Sequence, residues 1–274
     1  MVQLQTSKPK AIIFDMSGTV AKTAFIDRVL IPYFVNYMAG YVTEKWQDHQ
    51  LVKDIKRLRA QSKKDAARAC PEVDSTPTEE GGASPPTTAP TIAQSTAPDE
   101  EQQQSVVNYI NWAMNTKRDN TRAFQLFRFH MWFDGYSRGN LETPVYSDVA
   151  IQIKKWAIED DIKLYVYSNG WSEATRLFMS KTNHGDLSVV INDFFDTSIG
   201  PLTSTESYQT ILEKVGFQPE DVLFLTKNGP EARAAASAKI NAVLVLTHRK
   251  DIERLDEQDR GFPRIRSFME LEFL

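Results

Sequence analysis

Asp15, Ser17 and Thr19 follow directly on the short apolar run Ala11-Ile12-Ile13-Phe14, with Gly18 between them. Four consecutive apolar residues bounded by polar ones have the length and character of a strand buried on both faces, as in a parallel sheet. Gly18 permits a positive φ just beyond the strand. Asp15 is then held at the carboxyl end of a strand, the edge where open α/β sheets keep their sites. A carboxylate fixed there has the chemistry of a covalent nucleophile or of a ligand to a hard cation. The same residues also suit an Asx turn that closes the strand, and this stretch alone leaves both readings standing.

A second such edge follows Leu164-Tyr165-Val166-Tyr167, where Ser168-Asn169-Gly170 offers a hydroxyl and backbone amides to an anion. It too reads as an ordinary turn. A third buried strand, Val222 to Leu225, runs into Thr226-Lys227-Asn228-Gly229, and a fourth is expected over Ala242 to Leu246. Helices are expected over Asp148–Asp160, Ser172–Lys181, Ser204–Lys214 and the alanine-rich Glu231–Lys239. Strands alternating with helices predict a parallel sheet with helices on both faces.

Between the first and second strands the pattern is helical. Ala24–Ala39 carries apolar residues at helical spacing, with Pro32 expected to break or kink it, and Tyr41–Arg68 reads as one amphipathic, strongly charged helix. Residues 71–104 hold six of the 13 prolines and no aromatic or leucine residue. Such a segment buries too little apolar area to offset its ordering entropy, so a disordered insertion is expected there. Two further helices are expected from Ser105 to about Trp132. His130 is read as a packed or surface histidine, because no Cys or His stands at metal spacing from it.

The chain has 274 residues, 41% hydrophobic and 25% charged, with a formal net charge of -4. Nothing in that balance calls for nucleic acid or an anionic membrane as partner. No apolar run approaches the ~20 residues of a membrane span. The polar start Met1–Lys10 lacks a signal-peptide core, and the lone Cys70 allows no internal disulfide. The cytoplasm or nucleus is the expected location, and a monomer the expected state.

Asp15-x-x-Gly18-Thr19 after an N-terminal strand resembles the first motif of the haloacid dehalogenase-like superfamily. The later segments resemble its enolase-phosphatase (acireductone synthase) branch of methionine salvage: Trp132 with Gly135-Tyr136, Tyr167-Ser168-Asn169-Gly170, Phe195-Asp196-Thr197 and Phe224-Leu225-Thr226. The resemblance covers nearly the whole chain outside 71–104. It implies a three-layer Rossmann-like core from residues 1–25 and 143–274, with an inserted helical cap over 26–142. It also implies a magnesium-dependent phosphatase that enolises and dephosphorylates a phosphorylated 2,3-diketone.

Four catalytic positions follow from the resemblance, and three of them are changed. Asp15 keeps the nucleophile position. The general acid–base, two residues later, is Ser17, whose hydroxyl is too weak an acid to serve near neutral pH; losing that group typically costs about 10²–10⁴ in rate. The catalytic lysine position is Leu202, which removes a charge clamp. The metal-ligand aspartate position is Lys227, and an ammonium donates hydrogen bonds but cannot coordinate a cation. The expectation is therefore an inactive homologue with an idle Asp15, an Asp15–Lys227 ion pair and no bound metal. It would bind a protein partner or a small phosphorylated ligand, with anion contacts from Ser168, Asn169 and Lys227. The alternative is an active phosphatase, with Mg²⁺ on Asp15 and on substitute ligands such as Asn228 or Glu231.

Overall fold

The computed structural model describes residues 3–68, 88–94, 96–253 and 255–274. The chain divides into two compact units, one comprising the N-terminal residues to Arg28 together with Arg138–Leu274, the other Val29–Ser137. The sequence had placed these divisions at 25/26 and 142/143.

The first unit holds a six-stranded, all-parallel sheet. Its strands are β2 (Ala11–Phe14), β3 (Lys163–Tyr167), β4 (Asp193–Phe195), β5 (Val222–Thr226), β6 (Asn241–Val245) and β7 (Arg264–Ile265), in the order β4-β3-β2-β5-β6-β7. A separate parallel pair joins β1 (Leu4–Thr6) to β8 (Leu271–Phe273) and ties the two ends of the described chain together. Alternation along β2 divides the core. Ile12 and Phe14 face one apolar cluster with Val149, Ile153 and Trp156 of α5 (Ser147–Ile158) and Met179 of α6 (Ser172–Ser180). Ala11 and Ile13 face another with Tyr208 and Ile211 of α7 (Thr205–Val215) and Ala232 and Ala235 of α8 (Gly229–Ser237). Helices thus cover both faces, which is the three-layer α/β arrangement the alternating pattern predicts.

The order β4-β3-β2-β5 means that the chain winds outward from β2 on one side and then restarts on the other. β2 is the topological switch point, and open α/β sheets form their ligand crevice at the carboxyl ends of the strands there.

The second unit consists of α1 (Ile31–Glu44), α2 (His49–Arg68), α3 (Asp99–Asn115) and α4 (Arg122–Ser137) around Phe34, Leu51, Leu58, Ile110 and Phe127. Pro32 stands where the helical run changes character, as expected: Ile26–Leu30 before it form a π-helical turn, and the regular helix α1 starts at Ile31 with Pro32 in its first turn. Two details differ from the sequence reading. The stretch Tyr41–Arg68 is broken: Asp48 accepts the N–H groups of Gln50 at 2.8 Å and Leu51 at 3.2 Å, capping a new helix. Of the insertion expected to be disordered, 71–87 and 95 lie outside the described residues, whereas the remainder of 71–104 is built into the unit. Ala89 and Ile92 are buried, and α3 starts at Asp99 with three acids in its first turn, where the helix dipole favours them.

Candidate functional site

Asp15 lies one residue beyond the paired positions Phe14–Val166 and Phe14–Leu225, so it sits between the carboxyl ends of β3 and β5. Its backbone N–H donates to Leu225 O at 3.0 Å, continuing the ladder by one bond. The side chain is buried, and its carboxylate accepts from the Met16 and Ser17 N–H groups. Those bonds favour the charged form, but burial and then the Glu231 carboxylate outweigh them and push Asp15 up to about 8. No cation enters that balance.

Glu231 reaches the same edge from the first turn of α8. Thr226 Oγ1 donates to it at 2.7 Å and in turn accepts the Asn228 N–H at 3.0 Å, so one hydroxyl fixes both the turn after β5 and the carboxyl group. Burial raises Glu231 too, while the Thr226 bond pulls it back. Burial thus raises both carboxyl groups, and the Glu231 charge adds to the rise at Asp15. Tyr208 feels both of them: burial first, then Glu231, Tyr167 and Asp15, keep its hydroxyl protonated beyond the ordinary tyrosine range.

The other sequence-predicted residues lie as follows. Ser168, at the end of β3, is buried and accepts the Gly170 N–H at 3.1 Å, while Asn169 is exposed beside it. Ser17 is exposed. Leu202 is buried in the apolar cluster on the α7 side of the sheet, and its carbonyl accepts the Tyr208 hydroxyl at 2.7 Å. Lys227 donates its backbone N–H to Thr19 Oγ1 at 3.0 Å, which ties the turn after β5 to the turn after β2.

The expected Asp15–Lys227 ion pair is not formed. The Lys227 ammonium goes to Asp251 Oδ1 at 2.9 Å, in α9 (Arg249–Glu253). Asp251 is held ready for it, because its other oxygen accepts the His248 N–H at 3.1 Å. These bonds keep the Asp251 carboxyl below its usual range although burial opposes them. The lysine reaches it by crossing Gly18. A Cβ on Gly18 would lie 2.8 Å from Lys227 Cδ and 2.7 Å from Thr23 Oγ1, and Gly18 has φ +79°. Asp251 was missed in the sequence because nothing local ties it to Lys227 across β6. Glu231, named there as a substitute ligand, is the residue the fold brings to Asp15.

Magnesium takes hard oxygen donors in near-octahedral geometry. The groups at this edge are the Asp15 and Glu231 carboxyls, with the Lys227 ammonium turned to Asp251. Among the described residues no cluster of three or more His, Cys, Asp or Glu could hold a metal ion.

Residues 9–239 match the family model of the haloacid dehalogenase-like hydrolases. Relatives named enolase-phosphatase E1 align along nearly the whole chain. The Xenopus tropicalis protein is 33% identical over 96% of this chain and 94% of its own length. The Naegleria gruberi protein is 33% identical over 99% and 98%. The chain belongs to the enolase-phosphatase E1 family of haloacid dehalogenase-like hydrolases. Its fold matches the crystal structure of the UTR4 protein of Saccharomyces cerevisiae, with a TM-score of 0.68 and 22% identity, over 95% of this chain and 98% of that one. Family membership fixes the scaffold; the side chains at the switch point decide the chemistry. No described helix is long and apolar enough to cross a membrane.

Proposed function

We propose that this enolase-phosphatase homologue is catalytically inactive and serves as a binding or regulatory protein. The observation that carries the reading is the Lys227–Asp251 pair: a cation stands at the position resembling the family's metal-ligand aspartate, engaged at 2.9 Å with a carboxylate outside the strand-end site. Ser17 and Leu202 support it, one lacking a usable proton and the other lacking charge. Without the lysine at position 202, nothing offsets Asp15 and Glu231, and Asp15 holds its proton to about 8. A protonated carboxyl group is a poor nucleophile. Ser168, Asn169 and Lys227 would supply the anion contacts, the ammonium as a point charge.

A second reading, an active methionine-salvage phosphatase, draws support from Asp15 and Glu231 standing together, since two carboxylates and water are a donor set that magnesium uses elsewhere. It requires Asp15 to lose its proton when the metal binds. Phosphate release by the purified chain from a panel of phosphate esters, including a phosphorylated 2,3-diketone, separates the two. The assay is run with Mg²⁺ and with chelator, and Asp15→Asn serves as blank. No release above the blank is expected; release that needs both Asp15 and Mg²⁺ would overturn the inactive reading.

A further inference from the structure

We infer that the outer face of α2 is a docking surface for an extended, acidic polypeptide segment. The inference does not depend on whether the strand-end site is idle.

The α2 sequence carries seven basic residues against two acids. Both acids turn inward. Asp54 is fully buried and bonded to Arg57 at 2.8 Å and His130 at 2.7 Å. Asp65 is buried and accepts from the Tyr109 hydroxyl at 2.7 Å and from Gln61 at 3.0 Å. The inward face is completed by Leu51, Ile55, Leu58 and Ser62. Lys53, Lys56, Arg57, Lys63 and Lys64 are exposed. At 100° per residue these five fall within about a third of the helix circumference, opposite the buried stripe. Among the described residues none of the four lysines has an ion-pair or hydrogen-bond partner. A chain of net charge -4 thus presents one face of α2 to which, among the described residues, α2 itself contributes no exposed acid.

The surroundings decide the class of anion. Arg59 donates to the Gln102 side chain, which sets the exposed acids Asp99, Glu100 and Glu101 at the start of α3 beside α2. They bound the positive field on the α3 side of α2. A planar anionic membrane or a duplex would also meet those acids, and like-charge contact rejects such partners. The face holds no aromatic side chain on which bases of a single strand could stack. A narrow strand of carboxylates can lie along the lysines and avoid the acids.

The test is fluorescence anisotropy of a labelled peptide of alternating glutamate and glycine, about ten residues long and so ~33 Å when extended. It is titrated with the full chain at low salt and at about 0.15 M ionic strength. Binding is expected to weaken as salt rises. The quadruple variant Lys53→Gln, Lys56→Gln, Lys63→Gln, Lys64→Gln keeps good helix formers, and about a tenfold or greater loss is expected if each lysine contributes roughly as a surface ion pair. Lys154→Gln with Lys155→Gln, exposed lysines of α5, is expected to leave binding unchanged. Circular dichroism checks that both variants fold. The inference fails if the parent does not bind the peptide, if the quadruple variant binds as the parent does, or if phosphatidylserine vesicles or a single-stranded oligonucleotide bind more tightly than the peptide.

Discussion

Lys227 crosses Gly18 to reach Asp251, and it can do so only because Gly18 has no side chain: a Cβ there would stand 2.8 Å from Lys227 Cδ. The turn after β2 and the turn after β5 are thereby locked together, with Thr19 accepting the Lys227 N–H. Gly18→Ala would meet this contact, a closer one to Thr23 Oγ1, and a φ of +79°. A loss of about 1–3 kcal/mol in unfolding free energy is expected, measured by urea denaturation. A loss below ~0.5 kcal/mol would mean that the lysine stem moves aside freely.

The Asp15 carboxyl sets a pH dependence of stability. Its folded-state value is pushed up to about 8, by burial first and Glu231 second, whereas in the unfolded chain it titrates near 3.9. Between those values the folded state binds more protons than the unfolded one, so unfolding free energy falls as pH rises. The contribution is fully present below about pH 4 and lost as pH climbs through about 8. Asp15→Asn is expected to flatten that part of the profile, and stability curves for parent and variant from pH 5 to 9 would check it. Parallel curves would show that Asp15 ionises in the fold as it does in water.

The central strands were legible because each is a short apolar run with a polar boundary, and Ile12/Phe14 against Ala11/Ile13 needs both faces covered. The α1–α2 break was not, because it rests on the single cap Asp48 within an otherwise continuous amphipathic pattern. The start of α3 is Asp, Glu and Gln without an apolar residue, so composition resembled a disordered tail, while Ile92, alone in its stretch, anchors the preceding residues. The β1–β8 pair joins segments at opposite ends of the chain, a contact no local pattern encodes. At the site, residue types gave Ser17, Leu202 and Lys227 at the positions where the resemblance expects an acid, a lysine and a metal ligand. Which carboxylate Lys227 would choose depended on α9, and that geometry is tertiary.

If Lys227 is what excludes a divalent cation, Lys227→Asp should admit one. The substituted carboxylate would follow Thr226 at the end of β5, on the strand next to that of Asp15 and beside the Glu231 that Thr226 holds, and add an oxygen donor there. A magnesium-dependent rise in melting temperature is expected for the variant and not for the parent, since a ligand that binds only the folded state stabilises by mass action. Equal shifts in both proteins would place the metal elsewhere. Restoring Ser17→Asp and Leu202→Lys in the same chain is expected to raise phosphate release above that of Lys227→Asp alone.

In the helical unit, the fully buried Asp54 joins α2 to α4 through His130 Nδ1 at 2.7 Å, with Gln50 Nε2 3.3 Å from the same ring nitrogen. Asp54→Ala would leave a cavity and strip the imidazole and Arg57 of their acceptor at once. Arg57 can turn to water, because its side chain is 44% exposed, whereas that of His130 is only 15% exposed. The cost therefore falls mainly on the histidine and on lost packing, and a loss of about 2–4 kcal/mol is expected. Asp54→Asn keeps the volume and an acceptor oxygen for His130, so about half that loss is expected. If the two variants were equally destabilised in urea, the charge of Asp54, rather than its hydrogen bonds and packing, would be what joins the two helices.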